Sequence, residues 1–273
     1  MARSTYYYHI SRINNTDKYA DIRKRIVDIF EEHHKRYGYR RVHMQLVNEG
    51  HVINHKTVQK LMAEIHLKSK VRRVKYKSYK GEIGRIAPNI LNRDFKAEKP
   101  YQKWATDVTE FKVDGRKAYL SPILDMFNGE IISYTISDHP DLKMVMDMVK
   151  KAQNKVDIPE ELVLHSDQGW HYQHKQYQMR LKRNGIIQSM SRKGNCLDNA
   201  VMENFFGIMK SELLYLQNFK SMFEFKSALK DYIEYYNNDR IKLKLKGKSP
   251  VQYRTLYDLP PKNRTVKKIE FQI

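Results

Sequence analysis

YQKWATDVTEFKVDGRKAYLSPILDMFNGEIISYTIS, residues 101–137, decides the fold. WATDVTEFKV reads as a strand ending at an Asp114-Gly115 turn. RKAYLSPILDMF and EIISYTIS read as two more strands around Asn128-Gly129, a strong hairpin signal. Beyond them the pattern alternates. DLKMVMDMVKKAQNKV (141–156) repeats at helical spacing, and LVLHS (162–166) is a short apolar strand. HKQYQMRLKRNG (174–185) is a helix with a glycine stop, IIQSMS (186–191) a strand, and AVMENFFGIMKSELLY (200–215) a helix. Three antiparallel strands followed by alternating helix and strand give an α/β class: a mixed five-stranded sheet with helices, over residues 101–220.

Upstream, residues 1–67 read as a small helical domain. DKYADIRKRIVDIFEEHHKRY places Ile22, Ile26, Ile29 and Phe30 at helical spacing, with Asp17 as N-cap and Gly38 as stop. The second helix turns Val42, Leu46 and Val47 inward and ends at Gly50. The third is capped by Asn54 and repeats Val58, Leu61, Met62 and Ile65. Helix, short turn, helix is the helix-turn-helix pattern, and Lys56, Gln59 and Lys60 would suit a face turned to DNA. A plain three-helix bundle with a basic surface has the same pattern.

KSKVRRVKYKSYK (68–80) carries Lys68, Lys70, Arg72, Arg73, Lys75, Lys77 and Lys80 and no acid. Such a run does not pack into a core, so residues 68–100 read as a linker that tracks a phosphate backbone, with Arg72, Arg73 and Lys75 as contacts. In residues 221–273 a helix with Phe225, Leu229, Ile233 and Tyr236 precedes RIKLKLKGKSP. There Lys242, Lys244, Lys246 and Lys248 alternate with apolar residues, as a strand with one basic face would, and Lys244 is a DNA-contact candidate. An edge strand guarded by lysines is the competing reading.

Composition sets the partner class. The 273 residues carry a formal net charge of +20, which points to a polyanion. One cysteine excludes a disulfide framework and a cysteine-based zinc site, so a reducing, cytoplasmic setting is expected, nucleoid-associated when DNA is bound. No apolar run approaches the ~20 residues of a spanning helix, and MARSTYYYHISR lacks the apolar stretch of a secretory signal.

Three acids stand out. Asp107 lies within the first strand of the α/β region, and Asp167 at the carboxyl end of LVLHS, where open α/β sheets build their sites. Glu203 lies on a helix among Val201, Phe205 and Phe206. Phosphodiester transfer must activate an attacking oxygen and neutralise a leaving one. Two hard divalent ions do both, and they want oxygen ligands. Asp107 would be shared between the ions, with Asp167 and Glu203 one to each side. Glu110, Asp114 and Asp125 compete for these roles. Lys210, two helical turns past Glu203, would meet a phosphate. Asn199, one turn before Glu203, would hydrogen-bond a ligating acid from behind. His165 either faces the site beside Asp167 or packs as a neutral core histidine.

WATDVTEF, HSDQGWHY, SRKGNCLDNAVMENFFGIMKSEL and YYNNDRIKLKLKGKSPVQYR together resemble the integrase-core transposases of the insertion sequence 3 family, specifically its second reading-frame product, OrfB. YGYRRVHMQLVNEGHVINHKTVQKLM resembles the helix-turn-helix segment upstream of that core. The resemblance runs over about residues 5–255 and implies a ribonuclease H-like core. It implies a catalytic and metal-binding triad of Asp107, Asp167 and Glu203 with a trailing Lys210, and magnesium as cofactor, manganese substituting. The implied reaction is cleavage at the ends of an insertion element, then attack of the freed 3′-hydroxyl on another phosphodiester. It further implies terminal inverted repeats and target DNA as partners, a homo-oligomeric synaptic complex, and an upstream OrfA product or OrfAB fusion that supplies another helix-turn-helix. A DNA-binding regulator would need only the helical domain and linker, and a nuclease of the same fold would cut without joining.

Overall fold

The computed structural model describes residues 3–5, 17–70, 86–192 and 196–258. The chain divides into two compact units, residues 1–70 and 71–273. Arg72, Arg73 and Lys75 lie outside the described residues.

In the first unit, α1 (Ala20–Glu32), α2 (Tyr39–Asn48) and α3 (His55–Glu64) bury Ile26, Ile29 and Phe30 against Val42, Met44, Leu46, Val58, Leu61 and Met62. Met44 takes the core place expected of Val47, which is half-buried, because α2 packs on both α1 and α3. Two end signals fall elsewhere than expected. Asp17 is not the N-cap: Tyr19 is, and the Asp17 carboxylate accepts the Tyr19 N–H and pairs with Arg23. The first helix ends before Gly38, because His34 and Lys35 take left-handed φ of +53° and +62°. Gly38 instead opens α2. Asn54 caps α3, its side-chain oxygen accepting the Lys56 N–H at 2.8 Å. Lys56, Gln59 and Lys60 are exposed along α3.

The second unit is a mixed sheet between two helical layers. Its strands are β1 (Lys103–Thr106), β2 (Thr109–Val113), β3 (Arg116–Asp125), β4 (Ile131–Ser137), β5 (Val163–Ser166) and β6 (Ile187–Met190). β1 and β2 share one edge of β3, β4 takes its other edge, and β5 and β6 add in parallel beyond β1. The expected five strands become six because the first is broken in two. The register on either side of the break, Thr106 opposite Ile123 and Thr109 opposite Leu120, sets Pro122 opposite Asp107. Proline has no N–H to offer a neighbouring strand, so the ladder lets go there. Asp107 therefore sits in the break rather than inside a strand.

Neighbouring residues on a strand face opposite layers. Ala105, Leu124 and Ile131 pack with α7 (Ala200–Met209) and α8 (Met222–Asn238) through Phe205, Phe206, Phe225, Leu229, Ile233 and Tyr236. Trp104, Ile123 and Ile132 pack with α4 (Leu142–Lys155) and α6 (Lys175–Arg183). A four-residue α5 (Trp170–Gln173) precedes α6, and α9 (Pro250–Asp258) follows α8. Thus α8 is built into the same core as the sheet.

Two further expectations change. The helix after residue 200 widens into a π turn over Lys210–Leu214, with Ser211, Glu212 and Leu213 buried. The lysine-rich strand does not form: Leu243–Leu245 is a 3₁₀ turn closed by a single Lys242–Lys248 bridge. Lys242 points inward, donating to the carbonyls of Asn128 and Gly129 at 3.1 and 3.2 Å and to the Tyr236 hydroxyl at 2.9 Å. Burial pushes its pKa down to about 7. Gly129, at φ +75°, leaves the room: a Cβ there would stand 2.3 Å from the lysine nitrogen. Lys244 remains exposed.

Candidate active site

The site begins with two neighbouring parallel strands. Lys103 pairs with Val163, Trp104 with Leu164 and Ala105 with His165. The same register carried forward brings Asp107 opposite Asp167, one residue past the end of each strand, on strands ~4.8 Å apart. Residues 60 positions apart in the chain thus become neighbours.

Both carboxylates are fixed by backbone. Asp107 Oδ1 accepts its neighbour's N–H, that of Val108, at 2.7 Å, and Asp167 Oδ1 accepts the Gly169 N–H at 2.9 Å. Asn199 Nδ2 donates to Asp107 Oδ2 at 3.2 Å. The Asn199 side-chain oxygen is buried with no protein partner. Burial raises the Asp107 pKa well above the carboxylate range, and the charges of Asp167 and Glu203 push it further; the Val108 N–H and Lys210 pull it back. Burial likewise raises Asp167, against the Gly169 N–H and His171. Burial raises Glu203, on the first turn of α7. Among the described residues none of the three acids is in an ion pair.

Lys210 opens the π turn beside these acids. Burial lowers its pKa while Asp107 and Glu110 raise it, and its ammonium lies 5.5 Å from the Phe111 ring centre. The hydrogen bonds of His165 run to Ser189 and Asp198 rather than to the aspartates. Its ring nitrogens meet Ser189 Oγ at 2.8 Å and the Asp198 carbonyl at 2.9 Å, and burial favours the neutral ring. It braces the 3₁₀ turn Cys196–Asn199 that carries Asn199.

The competing acids have other work. Glu110 is exposed and accepts from Lys117 and Tyr119. Asp114 occupies the turn before Gly115, with φ of +48°. Asp125 is buried, accepts the Tyr101 and Phe127 N–H groups, and is raised by burial to about 6. Lys244 is exposed on the 3₁₀ turn Leu243–Leu245, and Lys56 and Lys60 belong to the first unit.

Two residues were not read from sequence. Tyr172 is buried, and its phenol is raised well above the usual range by burial and by the charges of Asp107 and Asp167. Its ring packs over Gly169, where a Cβ would stand 3.3 Å from it and 2.9 Å from the Asp167 carboxylate. Asp198, in the polar loop, is gripped by Arg93 and Arg192. Tyr172 falls five residues after Asp167 on a helical turn, which is a usable signal; an acid in a polar loop gives none.

An open, mixed sheet with paired acids past the ends of two parallel strands defines the integrase-core class, and comparison with known proteins agrees. Residues 97–196 match the integrase core domain family, residues 203–256 a second integrase core domain, and residues 18–75 an HTH-like domain. The chain is 55% identical over 260 residues, 95% of this chain and 92% of the other, to the putative transposase InsK for insertion sequence element IS150 of Escherichia coli. It is 36% identical to the transposase for insertion sequence element IS904 of Lactococcus lactis, over 84% of this chain and 92% of the other. A simian T-cell lymphotropic virus intasome structure shares the fold, with a TM-score of 0.52 at 17% identity over 86% of this chain and 76% of that one. The chain belongs to the insertion sequence 3 family of transposases. It is a DNA transposase built on an integrase core.

Proposed function

We propose that Asp107, Asp167 and Glu203 form the catalytic and metal-binding set for two successive phosphoryl transfers: cleavage at an element end by water, then attack of the freed 3′-hydroxyl on a second phosphodiester. One observation carries this reading. Two like-charged carboxylates are held side by side, partly desolvated, and among the described residues no cation forms an ion pair with either. Such an arrangement is unfavourable unless positive charge arrives from outside.

The donor set fits a hard divalent ion, because Asp107, Asp167 and Glu203 all offer carboxylate oxygens. The unpartnered Asn199 oxygen adds a further buried acceptor beside Asp107. Among the described residues no three His, Cys, Asp or Glu side chains stand close enough together to enclose an ion. Glu203, on the first turn of α7, would have to close toward the aspartates to complete the set.

Magnesium ions, two per site with manganese as substitute, would supply charge neutralisation on both sides of the scissile phosphate. Asp107 would face both ions, Asp167 and Glu203 one each. Asn199 holds the Asp107 carboxylate from behind, and Lys210 offers positive charge to the phosphate. The exposed Lys56 and Lys60 on α3, with Arg72, Arg73 and Lys75 of the linker and Lys244, are proposed to hold DNA outside the pocket. The element's terminal repeats and target DNA would be the substrates, in a synaptic homo-oligomer, with an upstream OrfA product or fusion as partner.

The test is nicking and joining of labelled element-end duplexes in magnesium. Asp107→Asn, Asp167→Asn and Glu203→Gln should each lose both steps and keep DNA binding. Normal strand transfer by any of the three would remove that residue from the assignment.

A further inference from the structure

We propose that Arg93 and Arg192 form a two-guanidinium fork that binds a DNA phosphate beside the catalytic pocket. Its anchor is Asp198, whose carboxylate is 0% exposed while the Arg93 and Arg192 side chains are 45% and 51% exposed. Arg192 Nε donates to Asp198 Oδ2 at 2.9 Å and Nη2 to Oδ1 at 3.1 Å, a bidentate grip. Its backbone N–H adds a bond to Oδ2 at 3.0 Å. Arg93 Nε donates to Oδ1 at 2.8 Å, and Asn89 Nδ2 to Oδ2 at 3.1 Å.

The carboxylate thus takes the inner edges of both guanidiniums. Both terminal nitrogens of Arg93 and Nη1 of Arg192 have no partner among the described residues. Two guanidiniums repel when brought together. A buried carboxylate between them removes that repulsion and fixes their planes, and the cluster keeps one net positive charge. Outward N–H groups held in fixed planes match the oxygens of a phosphodiester, which arginine binds through paired N–H donors.

The fork is wired to the pocket. His165 holds the Asp198 carbonyl, Ser189 holds His165, and the Ser189 hydroxyl accepts the Ile90 and Leu91 N–H groups at 3.0 and 3.4 Å. The next residue, Asn199, donates to Asp107. A strand held at the fork is therefore registered to the carboxylate that faces the scissile phosphate. The inference rests on the transposase reading for the identity of the phosphate as DNA's.

The full chain tests it without divalent metal, by titrating an element-end duplex and an unrelated duplex across a salt series. Each neutralised phosphate contact contributes about 0.9 to the slope of log affinity against log salt. Arg93→Gln and Arg192→Gln should each flatten that slope on both duplexes, and the double variant by about 0.9 in all, the share of the one phosphate the fork holds. Asp198→Asn discriminates further. Removing a negative charge should tighten DNA binding if charge alone matters; loss of the anchor should weaken it several-fold.

Should a variant fail to fold, phenylglyoxal labelling of the wild-type chain decides: Arg93 and Arg192 react when free and are protected in the DNA complex. Unchanged slopes in both single variants, tighter binding by Asp198→Asn, or equal labelling with and without DNA would overturn the fork. Wild-type protein that binds neither duplex removes the transposase reading and the fork together. Normal wild-type binding with undiminished slopes removes the fork alone.

Discussion

Glu212 and the Asp107–Asp167 pair are all acids taken out of water, yet the chain treats them in opposite ways. Glu212, 3% exposed, receives Arg240 Nη2 and Nε, each at 2.7 Å, and the Tyr232 hydroxyl at 3.0 Å. Both its oxygens are matched by a fixed cation. Among the described residues the two aspartates receive hydrogen bonds from backbone and amide N–H groups only, and Asp167 bears on Asp107 as a like charge. The chain can neutralise a buried acid and does so behind α7 and α8. Where it does not, the proposed metal ions would supply the missing charge.

The largest effect expected from that contrast is on rate. If these acids ligate metal as proposed, several kcal/mol of charge stabilisation depend on them, so Asp107→Asn or Asp167→Asn should slow strand cleavage on the order of 10³-fold or more in single-turnover assays. The converse region should fail in stability. Glu212→Gln strands a buried guanidinium and should cost about 3–5 kcal/mol in urea denaturation. Replacing Glu212 and Arg240 together by apolar residues should cost less than either single change. Equal losses would show that the pair is not the unit.

A middle-sized effect belongs to Asn199. Asn199→Ala removes a hydrogen bond to Asp107 and should raise the magnesium concentration needed for half-maximal cleavage about 10–100-fold. Manganese titration followed by electron paramagnetic resonance reads the same shift without catalysis.

Smaller still are two pH-linked effects of opposite sign. A carboxyl raised above its ordinary value destabilises the fold wherever it is ionised. Asp107→Asn should therefore melt roughly 2–4 °C above the wild type at neutral pH. The difference should shrink as pH falls into the carboxylate range, and added magnesium should raise the melting point of the wild type only. His33, pushed down to about 4 by burial and stacked on Tyr37 at 3.8 Å, behaves the other way. Its contribution is whole above about pH 6.5 and is lost as pH falls toward 4, so His33→Phe should flatten the acid side of the melting curve. A variant as acid-sensitive as the wild type would place the effect elsewhere.

Much of this was legible beforehand, for physical reasons. Asn128-Gly129 and Asp114-Gly115 fix their turns locally, and the apolar spacing in α4 and α6 needs nothing beyond its own helix. The acids could be singled out because Asp167 ends an apolar strand and Glu203 interrupts an apolar helix. What stayed hidden depends on partners distant in sequence. Pro122 breaks the first strand only because it lies opposite Asp107. Lys242 reads as one of four surface lysines until Gly129, 113 positions away, opens a place for it. Asp198 looks like any loop acid until Arg93 arrives from the linker. His34 and Lys35 end α1 in left-handed conformations that their residue types do not favour, so in sequence Gly38 is the stronger stop signal.

The side-by-side placement of Asp107 and Asp167 has one more consequence. A parallel strand that slipped by one residue would send its terminal side chain to the opposite face of the sheet. The proposed cutting centre thus exists only when strands from distant parts of the chain are docked in true alignment. A half-assembled copy carries the same acids without that centre, so the proposed cleavage waits until the sheet has formed.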